Sequence, residues 1–139
     1  MLNQLNLVVR DMDATVAFYK RLGLPIKVSP GAQHASVTLP NGLLVEFDTV
    51  EFVPQWDTGW RGSTGGSTVL GFSVPSREAV DSLYSELTNS VYAAHQPPYD
   101  AFWGARYAIV EDPDGNSVGL MSPIEEGRKF FPPQPPPRL

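Results

Sequence analysis

The chain has 139 residues, a formal net charge of −5 and 42% hydrophobic residues, enough to pack one ordinary domain or two small modules sharing an interior. Its acidity and the lack of any basic run argue against nucleic acid or an anionic membrane as partner. The absence of cysteine excludes disulfides, thiolate metal sites and cysteine nucleophiles; with no signal-type N-terminus and no long apolar run, the expectation is a cytoplasmic protein.

Leu5, Leu7 and Val9 alternate with Asn6, Val8 and Arg10, the period-2 pattern of a half-buried strand. Asp11 is placed to cap a helix whose first turn holds Asp13; Met12, Val16 and Tyr19 set its period, and Gly23 with Pro25 end it. Short strands are predicted at 26–28, 35–39 and 43–48, the last two joined by Pro40-Asn41-Gly42, where Asn-Gly supplies the positive φ a hairpin turn needs. Residues 1–53 therefore read as a βαβββ module. Residues 54–67, rich in Gly, Ser and Thr and carrying Trp56 and Trp60, read as a linker.

The order then repeats over 68–123. A strand at 68–74 leads to a helix capped by Ser76 and running through Val80, Leu83, Tyr84 and Leu87. A strand at 91–95 follows, then a loop with Pro97-Pro98, a strand at 105–111, a Pro113-Asp114-Gly115 turn and a strand at 117–121. In the tail, 124–139, prolines at 132, 133, 135, 136 and 137 favour an extended polyproline conformation and mobility.

The two halves are copies of one pattern. Gln4-Leu5-Asn6-Leu7-Val8-Val9 is echoed by Val69-Leu70-Gly71-Phe72-Ser73-Val74, and Leu39 to Phe47 by Asp112 to Leu120. Two units make a duplicated module rather than a solenoid. They differ at Gln4 against Val69 and at Glu46 against Gly119.

Val8-Val9-Arg10-Asp11-Met12-Asp13, followed by Phe18-Tyr19-Lys20-Arg21-Leu22-Gly23-Leu24 and later by Val110-Glu111-Asp112-Pro113-Asp114-Gly115-Asn116, resembles the vicinal oxygen chelate superfamily, the glyoxalase, bleomycin-resistance and extradiol-dioxygenase fold. The resemblance covers roughly residues 2–123. It implies an α+β fold of two βαβββ modules with curled mixed sheets around a cavity, paired within one chain or across a homodimer. It also implies one metal ligand on the first and one on the last strand of each module. Gln4 and Glu46 stand at those places in the first half, whereas Val69 and Gly119 offer no donor in the second. Catalytic divalent sites keep about three protein ligands, so the pattern implies no metal cofactor. Neither His34 nor His95 has ligand-type spacing to the other or to Glu46, and both read as surface or hydrogen-bonded histidines.

Glu46 interrupts an apolar run and shares a face with Leu44. Facing the cavity, it would bind a cationic or hydrogen-bonding ligand or act as a base; facing outward, it is a solvated charge. Trp56 and Trp60, with Tyr99, Phe102, Trp103 and Tyr107, are large aromatics in segments read as loops, suited either to a stacking wall for a ligand or to plugging the fold or a dimer seam. Arg106 is read as a salt-bridge partner of Asp100 or Glu111, or less simply as a contact to a ligand acid. Two functions follow. The leading one is a metal-free, homodimeric protein that sequesters an aromatic or apolar small molecule, such as an antibiotic or natural product, using Gln4, Glu46, Trp56, Trp60, Tyr99, Phe102, Trp103, Arg106 and Tyr107. The alternative is a glyoxalase-like lyase or isomerase in which Gln4 and Glu46 hold a divalent metal, or Glu46 serves as the catalytic base.

Overall fold

The computed structural model describes residues 1–66 and 68–139; Ser67, the last residue of the expected linker, lies outside them. Among the described residues there are two α-helices and seven strands, the strands forming two mixed sheets, which is the α+β class expected. Contacts divide the chain into two compact units.

The first unit comprises Met1–Gly66 with Pro113–Gly115. It contains β1 (Gln4–Val9), α1 (Met12–Arg21), β2 (His34–Thr38) and β3 (Leu44–Thr49), in the sheet order β1-β3-β2. β1 runs parallel to β3, and β2 antiparallel to it. Asp11 caps α1 by accepting from the Ala14 amide at 3.0 Å, and Gly23, at φ +91°, ends the helix where a side chain would be strained. The Pro40-Asn41-Gly42 turn closes as expected, with Leu39 N–H donating to Leu43 O at 2.8 Å and Gly42 at φ +89°. Leu7, Val9, Ala35, Val37, Val45 and Phe47 are buried on one sheet face, where Phe47 meets Tyr19 of α1 at a centroid distance of 5.5 Å. The strand expected at 26–28 does not join the sheet. Ile26 is fully buried, but only three residues separate Pro25 from Ser29-Pro30, and the stretch pairs with no strand. The expected linker is grouped with this unit up to Gly66; it opens with a 3₁₀ turn, Val53–Gln55, anchored by a fully buried Val53.

The second unit takes the remaining described residues up to Asp112 and from Asn116 to Leu139. It holds β4 (Val69–Ser73), α2 (Arg77–Thr88), β5 (Ala94–Asp100), β6 (Arg106–Glu111) and β7 (Ser117–Met121), in the order β4-β7-β6-β5. Ser76 caps α2 through the Ala79 amide at 3.1 Å. Val80, Leu87, Ala108, Val110, Val118 and Leu120 form its fully buried core. Pro97-Pro98, expected in a loop, lie within β5. That strand is at the sheet edge, where a missing N–H costs no ladder bond, and its register shifts twice, between Ala94 and Gln96 and between Gln96 and Tyr99. The proline tail is tied back to this strand: Gln96 Nε2 donates to Pro137 O at 2.7 Å. No helix among the described residues is long and apolar enough to cross a membrane.

Candidate functional site

Strand alternation sends the other face of the first sheet's residues to one place. Register pairs Asn6 with Glu46 across β1 and β3, and His34 with Asp48 across β2 and β3. These side chains, with Gln4, Phe52 and Trp56, line a basin of about 330 Å³. Glu46 Oε2 accepts from Gln4 Nε2 at 2.9 Å and from Asn6 Nδ2 at 3.3 Å. Asn6 Nδ2 also donates to Asp48 Oδ2 at 2.8 Å, and His34 Nδ1 stands 2.6 Å from Asp48 Oδ1. Because a carboxylate only accepts, these contacts fix the orientation of both amides. Asn6 Oδ1 is thereby left buried with no hydrogen-bond partner. Asp48 is only 2% exposed, so the centre of the network is dry and its hydrogen bonds count for more than at the surface. Phe52 lies against His34 at a centroid distance of 6.1 Å, and Trp56, 52% exposed, stands at the rim.

Gln4, Glu46 and Trp56 of the expected binding residues therefore meet. Trp60 does not join them; its indole N–H donates to Ser63 O at 3.3 Å. Phe52 joins Trp56 as one of the aromatics ahead of the second half, whereas Asn6, His34 and Asp48 are not among the site residues expected from the sequence. The signal for two of them was present: residues two along from Gln4 and Glu46 share their faces. Counting outward from the Asn41-Gly42 turn would have set His34 opposite Asp48.

The other expected aromatics cluster in the second unit. Trp103 meets Phe102 and Tyr107 at 5.3 Å each, edge-on, while Tyr99 meets Trp103 at 6.5 Å and Tyr107 at 6.3 Å. Trp103 Nε1 donates to Met121 Sδ at 3.3 Å. Burial pushes the Tyr107 phenol pKa up, and burial followed by the Tyr107 charge does the same to Tyr99. Beside them, Phe102 and Trp103 line a hollow of about 480 Å³ with Lys129, Phe130 and Phe131. Arg106 is a salt-bridge residue, holding Asp81 at 2.9 Å and Asp100 at 3.2 Å; Asp100 also pairs with Arg77. Burial opposes the Asp100 charge, but the hydrogen bonds and charges of Arg77 and then Arg106 outweigh it and hold the carboxyl below its ordinary pKa. His95 bonds Glu111 at 3.0 Å.

Of the four positions where the resemblance implies metal ligands, only Gln4 and Glu46 carry a side-chain donor atom. Gln4 spends its amide N–H on Glu46, Val69 has no donor, and no group of three or more His, Cys, Asp or Glu among the described residues could hold an ion. Gly119 is filled from outside: a Cβ there would stand 2.5 Å from the Tyr107 hydroxyl and 3.0 Å from its ring.

Residues 1–120 match the Glyoxalase/Bleomycin resistance protein/Dioxygenase superfamily, and the chain belongs to it. No curated protein matches. Among solved structures, the chain is similar to a glyoxalase-related enzyme from Fulvimarina pelagi, at 22% identity and TM-score 0.73, over 88% of each chain. It is similar to a glyoxalase/bleomycin resistance protein/dioxygenase family enzyme from Burkholderia phytofirmans, at 21% identity and TM-score 0.70, over 87% of this chain and 97% of the other. Lactoylglutathione lyase from Agrobacterium tumefaciens is also similar, at 17% identity and TM-score 0.62, over 88% and 92%. At these identities the likeness is one of fold.

Proposed function

We propose that the protein binds a small molecule in the first-unit basin and does so without a metal. The observation that carries this reading is the convergence of Gln4, Asn6, His34, Glu46 and Asp48 on one basin, in a chain whose matching positions in the second unit are Val69 and Gly119. Clefts with a few convergent polar groups and aromatic walls are the usual form of ligand sites. The aromatic cluster of the second unit stacks chiefly on itself and on Met121, which supports a packing role for Tyr99, Trp103 and Tyr107.

One observation favours a second reading, proton transfer by a lyase or isomerase. Buried Asp48 holds His34 by one ring nitrogen at 2.6 Å, an arrangement that orients the other nitrogen as a base. A fluorescence titration separates the two. The binding reading expects a panel of amine-bearing and polycyclic compounds to include ligands that quench Trp56, with quenching lost in Glu46→Ala and the compound recovered unchanged. Chemical conversion that depends on His34 would support the second reading instead, and no quenching by any compound would sink the first.

A further inference from the structure

We infer that the ligand of the first-unit basin is an organic cation, an ammonium or amidinium joined to an apolar or aromatic body. This rests on the basin being the binding site, and it adds a charged head to the apolar or aromatic ligand expected from the sequence.

The basin's chemistry is one-sided. Its lining contains two carboxylates, Glu46 and Asp48, and neither Lys nor Arg. Glu46 is met only by the neutral amides of Gln4 and Asn6, and among the described residues it has no cationic partner. His34 touches Asp48 alone of the two acids, so the lining stays net negative whether that ring is neutral or protonated. A carboxylate facing a concavity without a counter-charge attracts cations, and low-dielectric walls strengthen the attraction.

The aromatic part of the lining points the same way. Phe52 and Trp56 supply ring faces at the same basin, and Trp is the best aromatic partner for a cation. An anion would meet two carboxylates, and a purely apolar ligand would bury Glu46 without a counter-charge. A cationic head with a hydrophobic body satisfies both halves of the lining.

The test uses four probes of one shape: benzylamine, benzyltrimethylammonium, benzyl alcohol and benzoate, titrated into the full chain with calorimetry and the Trp56 indole N–H resonance as readouts. Benzylamine should bind at least about tenfold more tightly than benzyl alcohol, with benzoate no tighter than the alcohol. Glu46→Gln, which keeps shape and removes charge, should erase the amine's advantage over the alcohol. Trp56→Ala should weaken benzyltrimethylammonium several-fold, because that probe has no N–H to donate. Equal affinity for amine and alcohol with shifts at Trp56 would overturn the cation while leaving the basin as the site. Amine preference that survives Glu46→Gln would overturn it as well. Silence from all four probes would overturn the cation, with the broader compound panel then deciding the basin itself.

Discussion

Gly119 and Tyr107 show how one residue's loss becomes another's space. Gly119 is in ordinary strand conformation, so a methyl group there is barred by Tyr107 rather than by backbone strain. Tyr107 cannot easily swing away, since Trp103 and Tyr99 pack against its ring. Gly119→Ala is expected to cost about 1–3 kcal/mol of stability through overpacking. The same change in a Tyr107→Ala background should cost clearly less, and urea denaturation of the four members of that cycle would measure the coupling. Equal costs in both backgrounds would mean that Tyr107 does not fill the place. At the basin, Asp48→Ala should destabilise by about 1–3 kcal/mol, because Asn6 and His34 lose their shared buried acceptor. Denaturation midpoints at constant m-value would test that. Gln4 and Glu46 could be read from the sequence because the repeat marks their positions. The repeat does not mark His34; its place opposite Asp48 follows from the hairpin register about the Asn41-Gly42 turn, and the bond between them from side chains that meet only in the folded sheet.

At the scale of elements, the strands whose alternation was uninterrupted came out within a residue or two of expectation, β7 (Ser117–Met121) among them. The caps at Asp11 and Ser76 also stand where their side-chain chemistry placed them. β5 was obscured because Pro97-Pro98 speaks for a loop in any local reading, and only its position at the sheet edge makes those prolines harmless. The 26–28 stretch failed in the opposite sense: a strand-like pattern with no partner strand. β5 also ends at Asp100, which Arg77 of α2 and Arg106 of β6 hold. Asp100's folded pKa lies below its unfolded value, so its contribution is fully present above the ordinary aspartate pKa of about 3.9 and lost as pH falls through the lowered folded value. Urea midpoints should therefore drop on acidification below about pH 4, and Asp100→Asn should remove part of that drop. An unchanged acid profile in the variant would show that the cluster is solvent-screened and contributes nothing.

Across the whole molecule, duplication supplied two sheets, and divergence gave them different chemistry. One sheet presents carboxylates, amides and a histidine; the other presents Val69, Gly119 and interlocked aromatic rings. The shared pattern made the fold legible, because caps, turns and alternation recur in both halves. Function was less legible, since it lies in side chains that come together only through sheet register. We propose that the first-unit basin takes a small molecule rather than a chelated ion. Calorimetric titration of Zn, Ni, Mn and Fe ions into protein purified without added metal tests this most directly. None of them should bind tightly and stoichiometrically. One equivalent of tightly bound metal, abolished by Glu46→Ala, would contradict it.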